Sequence, residues 1–189
     1  APVFTSDSTF TIDENTTAVT NLVTTDADAN PSVTYSITGG ADAASFAVTT
    51  DGVLTLTTAA DYESGKTSYE VTVTATDNDD TNSTSQTITV TIKDTNDNRP
   101  IITSPNVFTV DENQLSVGTV TFTDADGGSN DPDWKAFFIR GGADKDSFDI
   151  GFKTGVITFK EAPDYETKSS YSIIVHVSDG TLPETTQLI

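Results

Sequence analysis

The strongest constraint on this chain is that one order of short strings occurs in it twice. Pro2, the triplet Asp13-Glu14-Asn15 and the triplet Asp26-Ala27-Asp28 return 98 residues later as Pro100, Asp111-Glu112-Asn113 and Asp124-Ala125-Asp126. The string GGADAASF at Gly39 returns as GGADKDSF at Gly141, an offset of 102, so four residues are inserted in between, around GGSNDPDW. Asp61-Tyr62-Glu63 then matches Asp164-Tyr165-Glu166, and Asp77 matches Asp179. A period near 100 residues is the length of one ordinary domain, so the 189 residues are read as two: 1–98, with an acidic linker at 94–98, and 99–189.

Within each repeat the apolar residues alternate with polar ones. Tyr69, Val71, Val73 and Ala75 are interleaved with Glu70, Thr72, Thr74 and Thr76, and Ile88, Val90 and Ile92 with Thr87, Thr89 and Thr91. Tyr171, Ile173, Val175 and Val177 form the matching set in the second repeat. Period two marks half-buried strands, and no stretch shows helical spacing. Short β-branched strands broken by Gly, Asp and Asn turns predict an all-β chain of two tandem Greek-key β-sandwiches, about seven strands each, joined end to end. Gln187 matches Gln86, so the second repeat has no counterpart of TVTIKDTNDN and its last strand is expected to be truncated.

Asp and Glu number 29 against 9 Lys and Arg, a formal charge of −20. That charge repels nucleic-acid phosphates and anionic membrane surfaces, which excludes nucleic acid as a partner. There is no Cys for a disulfide framework or thiolate site, and no apolar run of the ~20 residues needed to span a bilayer, so no direct membrane insertion is expected. The start APVFTSDSTF lacks the basic and apolar regions of a signal peptide, and the chain reads as a soluble piece of a longer one.

The acidic residues gather at repeat ends. Asp94, Asn96, Asp97 and Asn98 lie just past a strand, followed by Pro100, which has no amide hydrogen to extend a ladder. Oxygen donors crowded on a short connector repel one another unless a cation joins them. A set with no His or Cys selects a hard cation, and calcium accepts six to eight such oxygens in loose geometry. An EF-hand loop is excluded, because position twelve counted from Asp26, Asp77 or Asp124 is Ile37, Ile88 or Lys135 instead of Glu.

Taken together these strings resemble the cadherin family over essentially the whole chain. The resemblance implies that Glu14, Asp61 and Glu63 of the first repeat meet the linker's Asp94, Asp97 and Asn98 and the carbonyls of Thr95 and Asn96. The second repeat would add Asp124, Asp126, Asp179 and the carbonyl of Asn130. The implied cofactor is Ca2+, three ions at the junction between repeats. They would offset six of the eight charges on Glu14, Asp61, Glu63, Asp94, Asp97, Asp124, Asp126 and Asp179. Two further half-sites are implied, Asp26, Asp28 and Asp77 at one end and Glu112, Asp164 and Glu166 at the other, which argues for additional repeats on both sides. The expected role is a calcium-dependent extracellular adhesion or spacer segment at the cell surface, without catalysis. Its partners would be neighbouring cadherin-like repeats of the parent chain and another cell-surface protein or a glycan. The Thr-, Asp- and Asn-rich usage without Cys is closer to a bacterial or other non-vertebrate member. A Trp near the start, which classical cadherins insert into a partner, is missing from the first repeat.

The alternative is a calcium-dependent carbohydrate-binding module of a bacterial extracellular protein. Trp134, the single Trp, stands beside the insertion and could present an aromatic platform, although rim packing explains it as well. His176 falls between the inward Val175 and Val177 and is placed on an outer face. Asp61 and Glu63 share one face of an extended segment, which does not suit a glycosidase pair working across a cleft. Asn15 and Asn82 each begin a glycosylation sequon, but a glycan on Asn15 would crowd Glu14.

Overall fold

The computed structural model describes residues 1–27, 32–79, 82–126 and 136–189, and its contacts divide the chain into two units, Ala1–Thr95 and Asn96–Ile189. The first unit holds β1 (Val3–Phe4), β2 (Thr9–Asp13), β3 (Ala18–Asn21), β4 (Thr24–Thr25), β5 (Val33–Gly39), β6 (Phe46–Val48), β7 (Val53–Leu56), β8 (Ser68–Asp77) and β9 (Ser83–Lys93). A four-stranded sheet runs in the order β2-β9-β8-β5 and a three-stranded sheet in the order β3-β7-β6, while β1 pairs with β4. β2 lies parallel to the second half of β9, from Thr9 opposite Thr89 to Asp13 opposite Lys93, and the other pairs are antiparallel. This is the two-sheet sandwich that the alternation requires.

The inward parity is as predicted. Val71, Val73, Ala75, Ile88 and Val90 are fully buried, and all but Ala75 join the core cluster with Leu54, Leu56 and Phe46 of the opposite sheet, whereas the Thr residues between them form cross-strand hydroxyl pairs such as Thr74 with Ser85. β-branched side chains suit this half-buried pleated surface.

The second unit repeats the plan with β10 (Ile101–Ile102), β11 (Ser116–Thr119), β12 (Phe122–Thr123), β13 (Ala136–Gly141), β14 (Phe148–Ile150), β15 (Val156–Phe159), β16 (Ile174–Ser178) and β17 (Thr185–Leu188). Its sheets run β11-β15-β14 and β13-β16-β17, and β10 pairs with β12. Its core is richer in aromatics: Phe148 and Phe159 stack with centroids 4.4 Å apart, and Tyr171 meets Phe159 edge-on at 5.0 Å. Val107–Asp111, the counterpart of β2, carries the similar string VFTVD but is not a strand.

Two repeated details shape the ends of the units. Asn15 and Asn113 take the left-handed conformation, φ 59° and 61°, which Asn tolerates better than most residues. Each turns the chain immediately after its Glu, and its N–H is bonded to Ala60 or Pro163 on the Asp-Tyr-Glu approach. The DEN triplet therefore aims a carboxylate at the DYE triplet in both units.

Candidate metal centre

In the first unit Glu14 leaves the end of β2 and is almost wholly buried, 2% exposed. Its Oε2 accepts from the Tyr62 N–H at 2.7 Å, and its Oε1 accepts from the Thr95 N–H at 2.9 Å and the Thr95 hydroxyl at 3.2 Å. Burial raises the pKa of this carboxyl, but those donors together with Glu63 outweigh it and hold Glu14 below its ordinary value, so it stays ionised in a buried position. Tyr62–Ser64 forms a single 3₁₀ turn capped by Asp61, whose Oδ1 accepts from the Ser64 N–H at 3.2 Å. That turn swings Asp61 and Glu63 to the same end as Glu14, and one carboxylate oxygen from each of the three lies within 4.8 Å of the others. An oxygen of Asp94 comes equally near Glu63. Sequence reasoning thus chose four acidic residues that folding does bring together, with Thr95 closing over Glu14.

In the second unit the linker residues fold against Asp126, which is 3% exposed. The Asn98 N–H donates to Asp126 Oδ2 at 2.9 Å, and Asn98 Nδ2 donates to Asp126 Oδ1 at 2.9 Å and to Asp97 Oδ1 at 2.7 Å. With its amide nitrogen committed to carboxylates, Asn98 keeps its carbonyl oxygen as an acceptor for a cation. Asp124 is half-buried on the same strand exit, and the half-buried Asn96 keeps a buried Oδ1 without a hydrogen bond among the described residues. Asp179 is buried at the end of β16; its Oδ1 takes the Thr181 and Leu182 N–H groups at 2.8 Å each. Its Oδ2 has no hydrogen bond among the described residues.

Two more carboxylate groups follow the same rules. Asp77, fully buried, takes the Asp79 N–H on Oδ1 at 2.9 Å and leaves Oδ2 without a hydrogen bond among the described residues. The Asp26 side chain is also buried, with Oδ2 3.5 Å from the Ala1 amino group. Glu112, Asp164 and Glu166 form a second oxygen triad within 4.8 Å, all three exposed, with Glu112 Oε2 accepting from the Tyr165 N–H at 3.1 Å. Asp28 and Asn130 lie outside the described residues, as does Trp134.

Oxygen-only donors, carboxylates gathered in threes and buried carboxylate oxygens lacking a donor are what a hard divalent cation completes, and these residues fit calcium. The cadherin domain profile matches residues 8–93 and again 106–189. The chain belongs to the cadherin family. Human protocadherin Fat 4 is 39% identical to it over 156 residues, which is 79% of the chain and 3% of that protein. The Drosophila Fat-like cadherin-related tumor suppressor homolog is 36% identical over 97 residues, 50% of the chain and 2% of that protein. The chain thus spans only a few per cent of the length of these relatives. Among solved structures, a protocadherin gammaB7 cis-dimer of cadherin domains 3–6 superposes with a TM-score of 0.79 at 26% identity, covering all of this chain and 50% of that one. Cadherin domains 3–6 of protocadherin gamma B2 give 0.76 at 25% identity, with 100% and 49% covered. Cadherin repeats are modules of extracellular, non-enzymatic adhesion proteins, and among the described residues no helix is long and apolar enough to cross a membrane. The gammaB7 structure is a cis-dimer, and nothing among these relatives supports a glycan.

Both cadherin repeats also carry a clamp that the acidic string count overlooks. Asp42 is paired with Lys66, and its Oδ2 accepts from the Glu70 N–H at 2.9 Å while its own N–H donates to the Glu70 carbonyl at 2.9 Å. Asp144, Lys168 and Ser172 repeat this, with 2.8 Å and 3.0 Å for the two backbone bonds. The lysine contact holds each carboxyl below its ordinary value. The GGAD strings are therefore structural, and the offset of 102 between Lys66 and Lys168 was the available signal. His176 does sit on the outer face, but it has a partner: Nδ1 lies 2.8 Å from Glu184 Oε2, whose other oxygen is 2.6 Å from Arg140.

Proposed function

We propose that this pair of cadherin repeats is an adhesion or spacer segment of a larger cell-surface protein, stiffened by calcium bound around the linker. The ligands in this reading are the carboxylates of Glu14, Asp61, Glu63, Asp94, Asp97, Asp124, Asp126 and Asp179, the Asn98 side chain, and the carbonyls of Thr95, Asn96 and Asn130. The observation that carries it is the convergence of three carboxylate oxygens within 4.8 Å at Glu14, Asp61 and Glu63, repeated by the same motif at Glu112, Asp164 and Glu166. Like charges at that spacing destabilise a fold unless a cation offsets them. The Thr95–Asn96 peptide bond joins the two ligand groups, so an ion held by both would remove the freedom of that connector.

Three ions would leave about two of the eight negative charges uncompensated. Extracellular calcium modules bind at roughly 10⁻⁴ to 10⁻³ M, which fits a site filled outside the cell. Catalysis is not part of this function. The partners are neighbouring repeats of the same parent and another cell-surface protein.

Calorimetry and small-angle scattering with and without chelator test the proposal. Three calcium equivalents, a higher melting temperature and a longer, narrower particle in calcium are the expected results. A melting temperature and maximum dimension indifferent to chelator refute it.

A further inference from the structure

One outer face of the sandwich differs in chemistry between two units that otherwise repeat. In the first unit Ser36 stands opposite Thr74 between β5 and β8, and Thr38, Thr74 and Ser85 form a chain of hydroxyl contacts at 2.7 Å each. The same register in the second unit sets Phe138 opposite His176. There the hydroxyls give way to a charged network: His176 Nδ1 lies 2.8 Å from one oxygen of Glu184, whose other oxygen is 2.6 Å from Arg140. The Arg140 guanidinium lies over the Phe138 ring, 4.3 Å from its centroid, and Phe138 meets Phe152 edge-on at 5.3 Å. Phe152 takes the place of Thr50, because its carbonyl accepts from the Phe137 N–H as that of Thr50 accepts from the Tyr35 N–H. The first unit folds with Ser36, Thr38 and Thr50 where the second has Phe138, Arg140 and Phe152, so the sandwich itself does not require the aromatic and basic set.

Beside this network, between β13 and β14, lies a cleft of about 410 Å³ whose lining includes Phe138, Arg140, Lys145, Phe152 and Lys160, with Asp146 and Asp149 on the same wall. Phe152 is 50% exposed, and Lys153 lies over its ring at 5.4 Å. Four basic groups, with Lys153, thus meet three acidic ones, with Glu184, in a chain that holds 9 basic against 29 acidic residues. The acids there are also engaged: Asp149 is 3.8 Å from Lys160, and Glu184 is shared by Arg140 and His176. Lys145 has no ion pair among the described residues.

We propose that this face of the second unit docks a partner protein through an acidic segment bearing an aromatic anchor. The site goes beyond the calcium reading and uses none of its ligands. Three features select that occupant. Aromatic and arginine side chains fixed before contact supply much of the binding energy of protein interfaces, and Glu184 and Phe138 already hold Arg140. A guanidinium has five N–H donors, so Arg140 can meet a partner carboxylate without leaving Glu184. The half-exposed Phe152 ring offers apolar area to the anchor. Charges farther off than a screening length of ~8 Å count little, so the basic rim decides what approaches closely, despite the chain's total charge.

The test uses the full chain and the fluorescent peptide EDEFEDE, with EDEGEDE as the version lacking the anchor. The triple variant Phe138→Ser, Arg140→Thr, Phe152→Thr gives the second unit the residues with which the first unit folds, and its circular dichroism and melting curve check that it does so. The unaltered chain should bind EDEFEDE saturably, and either the triple variant or the EDEGEDE peptide should weaken binding at least about tenfold. Lys145→Glu, a change at an exposed position, should weaken it at least about threefold and reduce its salt dependence. Absence of saturable EDEFEDE binding, equal binding of the two peptides, or binding indifferent to both variants overturns the proposal. Self-association that the triple variant abolishes assigns the face to a second copy, and heparin bound in place of the peptide assigns it to a sulfated glycan; either result also overturns it.

Discussion

Replacing Glu63 by Gln should change the stability of the first repeat in opposite directions with and without calcium. Glu63 has a carboxylate oxygen within 4.8 Å of one on Glu14 and one on Asp61. Two unit charges at that separation repel by about 0.9 kcal/mol in water, so Glu14, Asp61 and the equally near Asp94 together impose about 2–3 kcal/mol of repulsion on Glu63. Physiological salt, with a screening length of ~8 Å, reduces this to about 1 kcal/mol. Gln removes the charge and introduces an amide N–H that can donate to Glu14. In chelator the variant should therefore melt higher, by roughly 4–8 °C for a domain the size of the first repeat. In calcium the same change deletes an anionic ligand, so calcium affinity should fall on the order of tenfold and the calcium-induced rise in melting temperature should shrink. Scanning calorimetry across a calcium titration reads both effects. A variant that melts lower in chelator shows that the carboxylate is held by internal bonds, and an unchanged calcium response shows that Glu63 does not bind the ion; either result refutes the reasoning.

Other measurements follow from the same geometry. Gly40 has φ +104°, and a Cβ there would stand 2.5 Å from the Val71 Cα, whereas Gly65 has φ +84° with nothing within 4 Å. Urea denaturation should show Gly65→Ala costing about 1 kcal/mol for backbone conformation and Gly40→Ala about 1–3 kcal/mol more; equal costs would mean that the close approach does not matter. The carboxyls of Asp42 and Asp144 lie below their ordinary 3.8 in the folded chain. A depressed folded pKa contributes stability above the unfolded value and loses it as pH falls through the folded one. The wild type should therefore lose stability below about pH 4 through these clamps, and an Asp42→Asn, Asp144→Asn double variant should show a shallower acid limb in urea melts at pH 2–6. Glu14→Ala leaves the Tyr62 and Thr95 amides without their acceptor and should lower stability by about 2–4 kcal/mol even in chelator; a loss confined to calcium would make Glu14 a ligand only.

Much of this was legible because the signals were local or doubled. Alternation at Tyr69 to Ala75 and at Ile88 to Ile92 fixes which side chains face inward, since successive residues of a strand point to opposite faces. The doubled DEN and DYE strings carried Glu14, Asp61 and Glu63, whose oxygens lie within 4.8 Å of one another, and the linker's crowded oxygen donors carried Asp94, which comes equally near Glu63. Some contacts were not legible because each depends on partners distant in sequence. Asp42 and Asp144 stand in the repeated GGAD strings, but their role depends on lysines 24 residues on. The partners of His176 were not legible because Arg140 arrives on β13 and Glu184 just before β17.

The amino-acid order alone determined two repeats, all-β sandwiches, the inward face of each strand and an acidic grouping suited to a hard cation, because period and composition act through nearest neighbours along the chain. Only the tertiary structure decided the rest. Asn15 and Asn113 turn left-handed to aim their glutamates, and Asp77 and Asp179 each keep one buried oxygen without a hydrogen bond among the described residues. Thr9–Asp13 is a strand because the second half of β9, distant in sequence, supplies the hydrogen bonds of a parallel partner.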